Sequence, residues 1–278
     1  MKNFYKILIL ATIILVPLSL VSQDLVILHS NDTHSNIELL SSGRNKGMGG
    51  FQRRANYIYQ VRKEHKNVLL LDAGDYNQGT PYFTLFKGDV EVKLNNKIKY
   101  DVICLGNHEF DNGQSELARR LKKAKYVTIC ANYDMSATPL KDLVKPYTII
   151  KRGGKKIGII GLLTDLNGMV SAPSRENMIY KNPIPIADSL ASVLKYEKGC
   201  DLIICLTHLG FDDGSARNPS DTELAKGTKN IDIIIGGHSH TFLEKPAIMK
   251  NTEGKDVIVT TSGAYGVYTG RIDIDFKK

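Results

Sequence analysis

Short apolar runs recur along the chain at Leu25–His29, Val68–Asp72, Val102–Leu105, Val127–Cys130, Ile157–Leu162, Leu202–Leu206, Ile231–Ile235 and Val257–Thr260. Turn residues bound each run, and within it Val, Ile and Leu follow one another almost without interruption. A strand with one wet face alternates; a strand covered on both faces need not, so these runs predict buried strands. Between them, Phe51–Glu64, Ser115–Ala124, Ile186–Glu197 and Asp221–Lys226 predict helices. Strand–helix alternation of this kind predicts an α/β architecture. The last stretch, Val267–Phe276, does alternate, with Ile272, Ile274 and Phe276 on one side and Arg271, Asp273 and Asp275 on the other, and predicts an edge strand. No repeat or Pro/Gly/Ser-rich linker divides residues 23–278, which read as one domain.

The N-terminus follows another pattern. Lys2 and Lys6 precede an apolar run, Ile7–Val16, followed by Pro17 and small or polar residues to Ser22. This is the layout of a secretory signal peptide over residues 1–22. Ile7 to Val21 is 15 residues, short of the roughly 20 that a membrane-spanning helix needs. The chain is therefore expected to be exported, to the periplasm or the extracellular space, without a permanent membrane anchor. Removing Lys2 and Lys6 from the 37 basic residues leaves 35 against 29 acidic, a net charge of +6. The excess is scattered as Arg53-Arg54, Arg119-Arg120, Lys122-Lys123 and Lys155-Lys156, which fits solvated faces better than a nucleic-acid groove. No stable nucleic-acid complex is expected. Of the four cysteines, Cys104, Cys130 and Cys205 lie in apolar runs, Cys200 lies nearby, and none has C-x-x-C spacing. Burial as free thiols is expected rather than pairing.

The residues after the predicted strands carry the chemistry. Leu25–His29 is followed by Ser30-Asn31-Asp32-Thr33-His34, and Val68–Leu71 by Asp72-Ala73-Gly74-Asp75. Val102–Leu105 leads into Gly106-Asn107-His108-Glu109-Phe110-Asp111. Leu202–Leu206 leads into Thr207-His208-Leu209-Gly210, and Ile231–Ile235 into Gly236-Gly237-His238-Ser239-His240. In open α/β sheets ligands collect at the carboxyl ends of strands. Five of the seven histidines, residues 34, 108, 208, 238 and 240, fall in these loops with Asp32, Asp75 and Asn107. Burying so many polar groups is costly unless something bonds them, and metal coordination does. His29 and His65 read as structural, as does Asp72. Imidazole, carboxylate and amide oxygen without thiolate suit Zn²⁺, Mn²⁺ or Fe, and suit Ca²⁺ poorly. The donors are too many for one tetrahedral ion, so a two-metal site with one shared carboxylate is expected.

These motifs resemble the calcineurin-like metallophosphoesterases and, within them, the 5′-nucleotidase family. The resemblance runs through Asn31-Asp32-Thr33-His34, Gly74-Asp75-x-x-Gln78-Gly79-x-Pro81, Gly106 to Asp111, Thr207 to Gly210 and Gly236 to His240, and covers about residues 24–276. It implies a four-layer α/β/β/α sandwich of two mixed sheets. It also implies that Asp32, His34 and His240 hold one metal, that Asn107, His208 and His238 hold the other, and that Asp75 bridges them. The nucleotidase branch often has Gln at the position of His240. His108, oriented by Asp111, would approach the phosphoryl oxygen or the leaving group rather than a metal. Two cations would lower the pKa of a bridging water, and the hydroxide so formed would attack phosphorus.

The implied activity is hydrolysis of a nucleotide or another small phosphoester. Cleavage of 2′,3′-cyclic nucleotides or nucleotide sugars would need no other metals, a nuclease could use the same core, and a non-catalytic exported metal-binding subunit is the reading from another class. Family members of the nucleotidase type carry a second, C-terminal domain that supplies aromatics for the base and arginines for the phosphate. No residues are left here for it. Three readings stand open: the chain acts alone, a separate polypeptide supplies the recognition domain, or the chain is a piece of a longer one, against which the leader at its N-terminus counts.

Overall fold

The computed structural model describes residues 24–212 and 218–276, so the predicted leader at 1–22 lies outside the described residues. In chain order the elements are β1 (Leu25–Ser30), α1 (Phe51–Glu64), β2 (Val68–Asp72), α2 (Pro81–Phe86), α3 (Asp89–Ile98), β3 (Val102–Cys104), α4 (Gly113–Leu121), β4 (Val127–Ile129), β5 (Tyr133–Asp134) and β6 (Val144–Lys145). There follow β7 (Tyr147–Arg152), β8 (Lys155–Leu163), β9 (Ile179–Tyr180), α5 (Pro183–Ser192), β10 (Leu202–His208), α6 (Asp221–Gly227), β11 (Ile233–Gly236), β12 (Ala247–Lys250), β13 (Asp256–Thr260) and β14 (Gly270–Ile274).

Two mixed sheets carry the architecture. One has the order β14-β1-β2-β3-β4-β6, parallel except for β14. The other has the order β12-β13-β11-β10-β8-β7, parallel at its centre and antiparallel at both edges. Strands β5 and β9 form a small separate ladder. Alternate residues of each central strand face different partners. Leu25, Ile27, Leu69 and Leu71 meet Ile157, Ile159, Ile204 and Ile233 between the sheets. The intervening Val26, Leu28 and Leu70 pack on Ala55, Ile58 and Val61 of α1 and on Val92 and Ile98 of α3. On the other outer face Ile160, Ile203 and Ile234 pack on Ala187 and Ala191 of α5 and on Leu224 and Ala225 of α6. The order helix, sheet, sheet, helix is the predicted four-layer sandwich, and coverage on both faces is why the runs do not alternate.

Every predicted buried run forms a strand within two residues of its expected place. The edge strand at the chain's end pairs antiparallel with β1. All four cysteines are free and buried. Helix α5 starts earlier than predicted because Asn182 caps it by accepting from the Ile184 N–H and Pro183 sits in the first turn, where its missing N–H costs nothing. Helix α3 escaped the pattern because Glu91 and Asn95 share its buried face with Val92 and Ile98. Strands β7 and β12 escaped it as half-exposed edges.

The carboxyl ends of the central strands stop at a common level. Ser30 lies opposite Asp72 in the first sheet, and Thr207 opposite both Gly236 and Leu162 in the second. Asn132 ties the two sheets at this end, donating to the Leu163 carbonyl at 2.7 Å and accepting the Leu163 N–H at 2.8 Å.

His29, in β1, is structural as predicted: it is 1% exposed and its Nδ1 has no hydrogen-bond partner. Burial lowers its pKa from 6.5 to about 4. Between those values the unfolded chain binds a proton that the folded chain refuses, so stability falls as pH drops through this window. At about 1.4 kcal/mol per unit, His29 accounts for roughly 2 kcal/mol of loss between pH 6.5 and pH 5. His29→Leu should remove that share, measured as a smaller difference between urea midpoints at pH 7 and pH 5 than in the parent chain. An unchanged difference would contradict the assignment.

Candidate active site

Five loops meet at the shared edge, each following a parallel strand. They bring Asp32 and His34 after β1, Asp75 after β2, Asn107 and His108 after β3, His208 at the end of β10, and His238 and His240 after β11. Asp32, His34, Asp75, His238 and His240 have φ between 45° and 78°, the left-handed region that side chains with a Cβ adopt at a cost of about 1 kcal/mol or more each. The loops also approach closely. A Cβ at Gly106 would lie 2.2 Å from Asp75 Oδ1, and one at Gly237 would lie 2.8 Å from His208 Nδ1. Larger residues there would push the donors apart.

The donors converge in two overlapping groups. His34 Nε2 faces His240 Nε2 at 2.8 Å, and these atoms lie 3.8 and 3.5 Å from Asp32 Oδ1. Asp75 Oδ2 lies 3.0 Å from His208 Nε2 and 4.0 Å from His34 Nε2, between the groups. Ligand atoms of Asp32, His34 and His240, and of Asp75, His208 and His238, each lie within 4.8 Å of one another. The same holds for His34, Asp75 and His108, so distance alone also admits His108 as a donor. Asn107 Oδ1 is buried without a hydrogen-bond partner, and His208 Nε2 faces only the Asp75 carboxylate. His208 Nδ1 sits 2.7 Å from the Ala73 carbonyl and His34 Nδ1 sits 3.3 Å from the Asn77 carbonyl. With Nδ1 as donor to a carbonyl, Nε2 is the ring nitrogen turned toward the carboxylates, where a cation would take the place of its proton. The unpartnered amide oxygen and the donor types thus fit divalent metal ions.

Electrostatics agree with that fit. Among the described residues no Lys or Arg pairs with Asp32 or Asp75, although both are buried. Burial raises Asp32 to about 7, with Asp75 adding to the rise against the pull of His208. Burial opposes charge on Asp75 and His208 alike, yet their pairing prevails: Asp75 is held well below the usual carboxylate range and His208 is pushed up to about 10. Burial lowers His34 to about 4 and also lowers His240. Two carboxylates faced by imidazoles of which His34 and His240 resist charging form a cluster that a divalent cation would neutralise.

His108 stands apart in its bonding. Its Nδ1 lies 2.8 Å from Asp111 Oδ2, a bond that raises its pKa, and its backbone N–H donates to Asp75 Oδ1 at 2.9 Å. Its side chain is 30% exposed. It lines a cavity of about 550 Å³ together with His34, Asp75, Asn107, His238 and His240. The structure therefore brings together every site residue predicted from the motifs.

Supporting residues went unread. Glu109 accepts the backbone N–H groups of Asp75, Asn77 and Gly106, tying the second and third loops. Asn31 donates to Asp32 Oδ2 at 2.7 Å and to the Gly263 carbonyl, and accepts from Ser262 N and Oγ. Both lie within the motifs after β1 and β3, and an amide or a carboxyl between metal-type donors is the signal that could have marked them. Tyr265, also lining the cavity, comes from the loop after β13, which carries no cluster of donors.

The fold and this convergence define a metal-dependent phosphoesterase framework. The family model for calcineurin-like phosphoesterase matches residues 25–242, and the chain belongs to that family. Within it the chain is similar to 5′-nucleotidases. A snake venom 5′-nucleotidase of Crotalus adamanteus is 35% identical over 277 residues, which cover 92% of this chain and 46% of the relative. The crystal structure of a 5′-nucleotidase precursor from Thermus thermophilus superposes with a TM-score of 0.82 at 35% identity, covering 91% of this chain and 51% of that one. The Haemophilus influenzae NAD nucleotidase superposes with a TM-score of 0.78 at 31% identity, covering 89% and 46%. The chain thus spans about half the length of the relatives it matches.

Asn31 uses its amide on both Asp32 and the 262–263 loop, so Asn31→Ala should loosen the first donor group without unfolding the chain. The expected result is a 10–100-fold weaker affinity for Mn²⁺ or Zn²⁺, roughly the usual scale for such support. Calorimetric titration of the metal-free chain measures it; parent-like affinity would contradict it.

Proposed function

We propose that the chain is an exported phosphoester hydrolase with two divalent metal ions, Zn²⁺ or Mn²⁺, that acts on nucleotide-like phosphomonoesters. Asp32, His34 and His240 would hold one ion, Asn107, His208 and His238 the other, and Asp75 would serve both. When bound, the ions lower the pKa of water toward neutrality and offset charge on the phosphoryl oxygens. The chain's own residues account for the rest. Asp75 accepts the His108 N–H and so couples the position of that imidazole to the shared carboxylate. Asp111 holds His108 Nδ1, which leaves Nε2 to carry a proton to the departing ester oxygen.

The observation that carries this reading is the His108–Asp111 pair beside the donor cluster, with the His108 side chain partly exposed to the cavity. A protein that only stores or displays metal has no use for an oriented imidazole there. The 5′-nucleotidase names of the relatives favour a nucleotide, and the NAD nucleotidase name keeps nucleotides with larger leaving groups in view. Export rests on the Lys2–Ser22 pattern and on the venom origin of one relative.

The test is hydrolysis of AMP, UDP-glucose, 2′,3′-cyclic AMP and an aryl phosphate in the presence of Mn²⁺ or Zn²⁺. AMP turnover is expected. Activity toward AMP that arises only on adding a second polypeptide would identify a split enzyme, and no turnover of any ester with metal bound would overturn the hydrolytic reading. His108→Ala should keep its metal content while losing on the order of 10²–10⁴ in turnover. Loss of metal in parallel with activity, measured by elemental analysis, would make His108 a ligand instead.

A further inference from the structure

Tyr265 lies at the cavity without serving as a donor in either group. Its ring centroid is 5.4 Å from that of His240, at an interplanar angle of 75°, and 5.7 Å from that of His34. The residue remains 40% exposed and lines the cavity. Its backbone holds it firmly. The Tyr265 N–H donates to the Asp32 carbonyl at 2.7 Å, and its φ is 61°. Asn31 binds Ser262 and Gly263 of the same loop. The hairpin closed by the Leu39–Gly49 bridge abuts this loop, since a Cβ on Gly49 would lie 3.1 Å from the Tyr265 carbonyl oxygen. That hairpin contributes Leu40, Arg44 and Asn45 to the cavity wall.

The cavity's volume, about 550 Å³, falls in the range of small-molecule sites and far exceeds what a phosphoryl group fills. A phosphoryl group held among the donors would have its leaving group in the same cavity that Tyr265 lines. Aromatic pairs prefer centroid separations of about 4.5–7 Å. The other exposed aromatics nearby, Phe242 and Tyr268, already stack on each other with centroids 4.1 Å apart, and neither lines this cavity.

We propose that Tyr265 is the specificity residue of this chain, giving its free face to a planar aromatic ring in the leaving group of the phosphomonoester. The inference rests on the hydrolytic reading above. It gives the chain a recognition element of its own, beside the metal donors.

The test compares AMP with ribose 5-phosphate, which share a primary 5′-alkoxide leaving group and differ by the base. In Tyr265→Ala the KM for AMP should rise on the order of 10-fold, the scale of losing one base–aromatic stack. Its kcat and its KM for ribose 5-phosphate should stay within about twofold, and Tyr265→Phe should behave like the parent. Metal content should be unchanged in both variants. Adenosine binding, followed calorimetrically, should weaken to the same degree in Tyr265→Ala. Equal losses on both esters, a drop in metal content, or adenosine binding indifferent to the substitution would overturn the proposal. Should the parent chain hydrolyse neither ester, the nucleotide-like phosphomonoester reading fails, while the adenosine titration still decides the role of Tyr265.

Discussion

Two buried carboxylates with no basic partner other than histidine among the described residues set the terms for this molecule. Asp32 and Asp75 are removed from water and placed where their neighbours are imidazoles that burial discourages from charging. An isolated buried carboxylate is costly. His208 offsets part of the cost by holding a proton against Asp75. A pair of divalent cations would offset the remainder and would satisfy Asn107 Oδ1, which no described protein group bonds.

The sandwich makes such a cluster possible. Parallel strands end at one level, so five loops from two sheets open toward a single point, and Asn132 holds the sheets together at that end. Left-handed backbone at five donor positions stores strain that a small loop could not hold. The two core layers that cover both faces of each central strand provide the rigidity to keep it. Position links the groups: Asp75, which lies between them, also accepts the His108 N–H, and Asp111 fixes the imidazole's orientation.

Much of this is legible in the sequence. Uninterrupted Val, Ile and Leu runs marked strands covered twice, and Asp, Asn and His immediately after them marked the active edge. What stayed hidden depends on contacts between distant residues. Helix α3 was obscured because Glu91 and Asn95 turn inward, Glu91 taking a hydrogen bond from Ser35. The role of Tyr265 was unreadable because its position is set by Asn31 bonding Ser262, 231 residues away. The partition of strands between two sheets was likewise invisible in apolar runs that look alike, and only the resemblance of the motifs implied it.

The metal requirement itself is open to direct observation. Crystals of the chain grown with Mn²⁺ or Zn²⁺ and measured at the metal's absorption edge should show two anomalous peaks about 3.5–4 Å apart, one beside Asp32, His34 and His240, the other beside Asn107, His208 and His238. A single peak, or none among these side chains at saturating metal, would contradict the account.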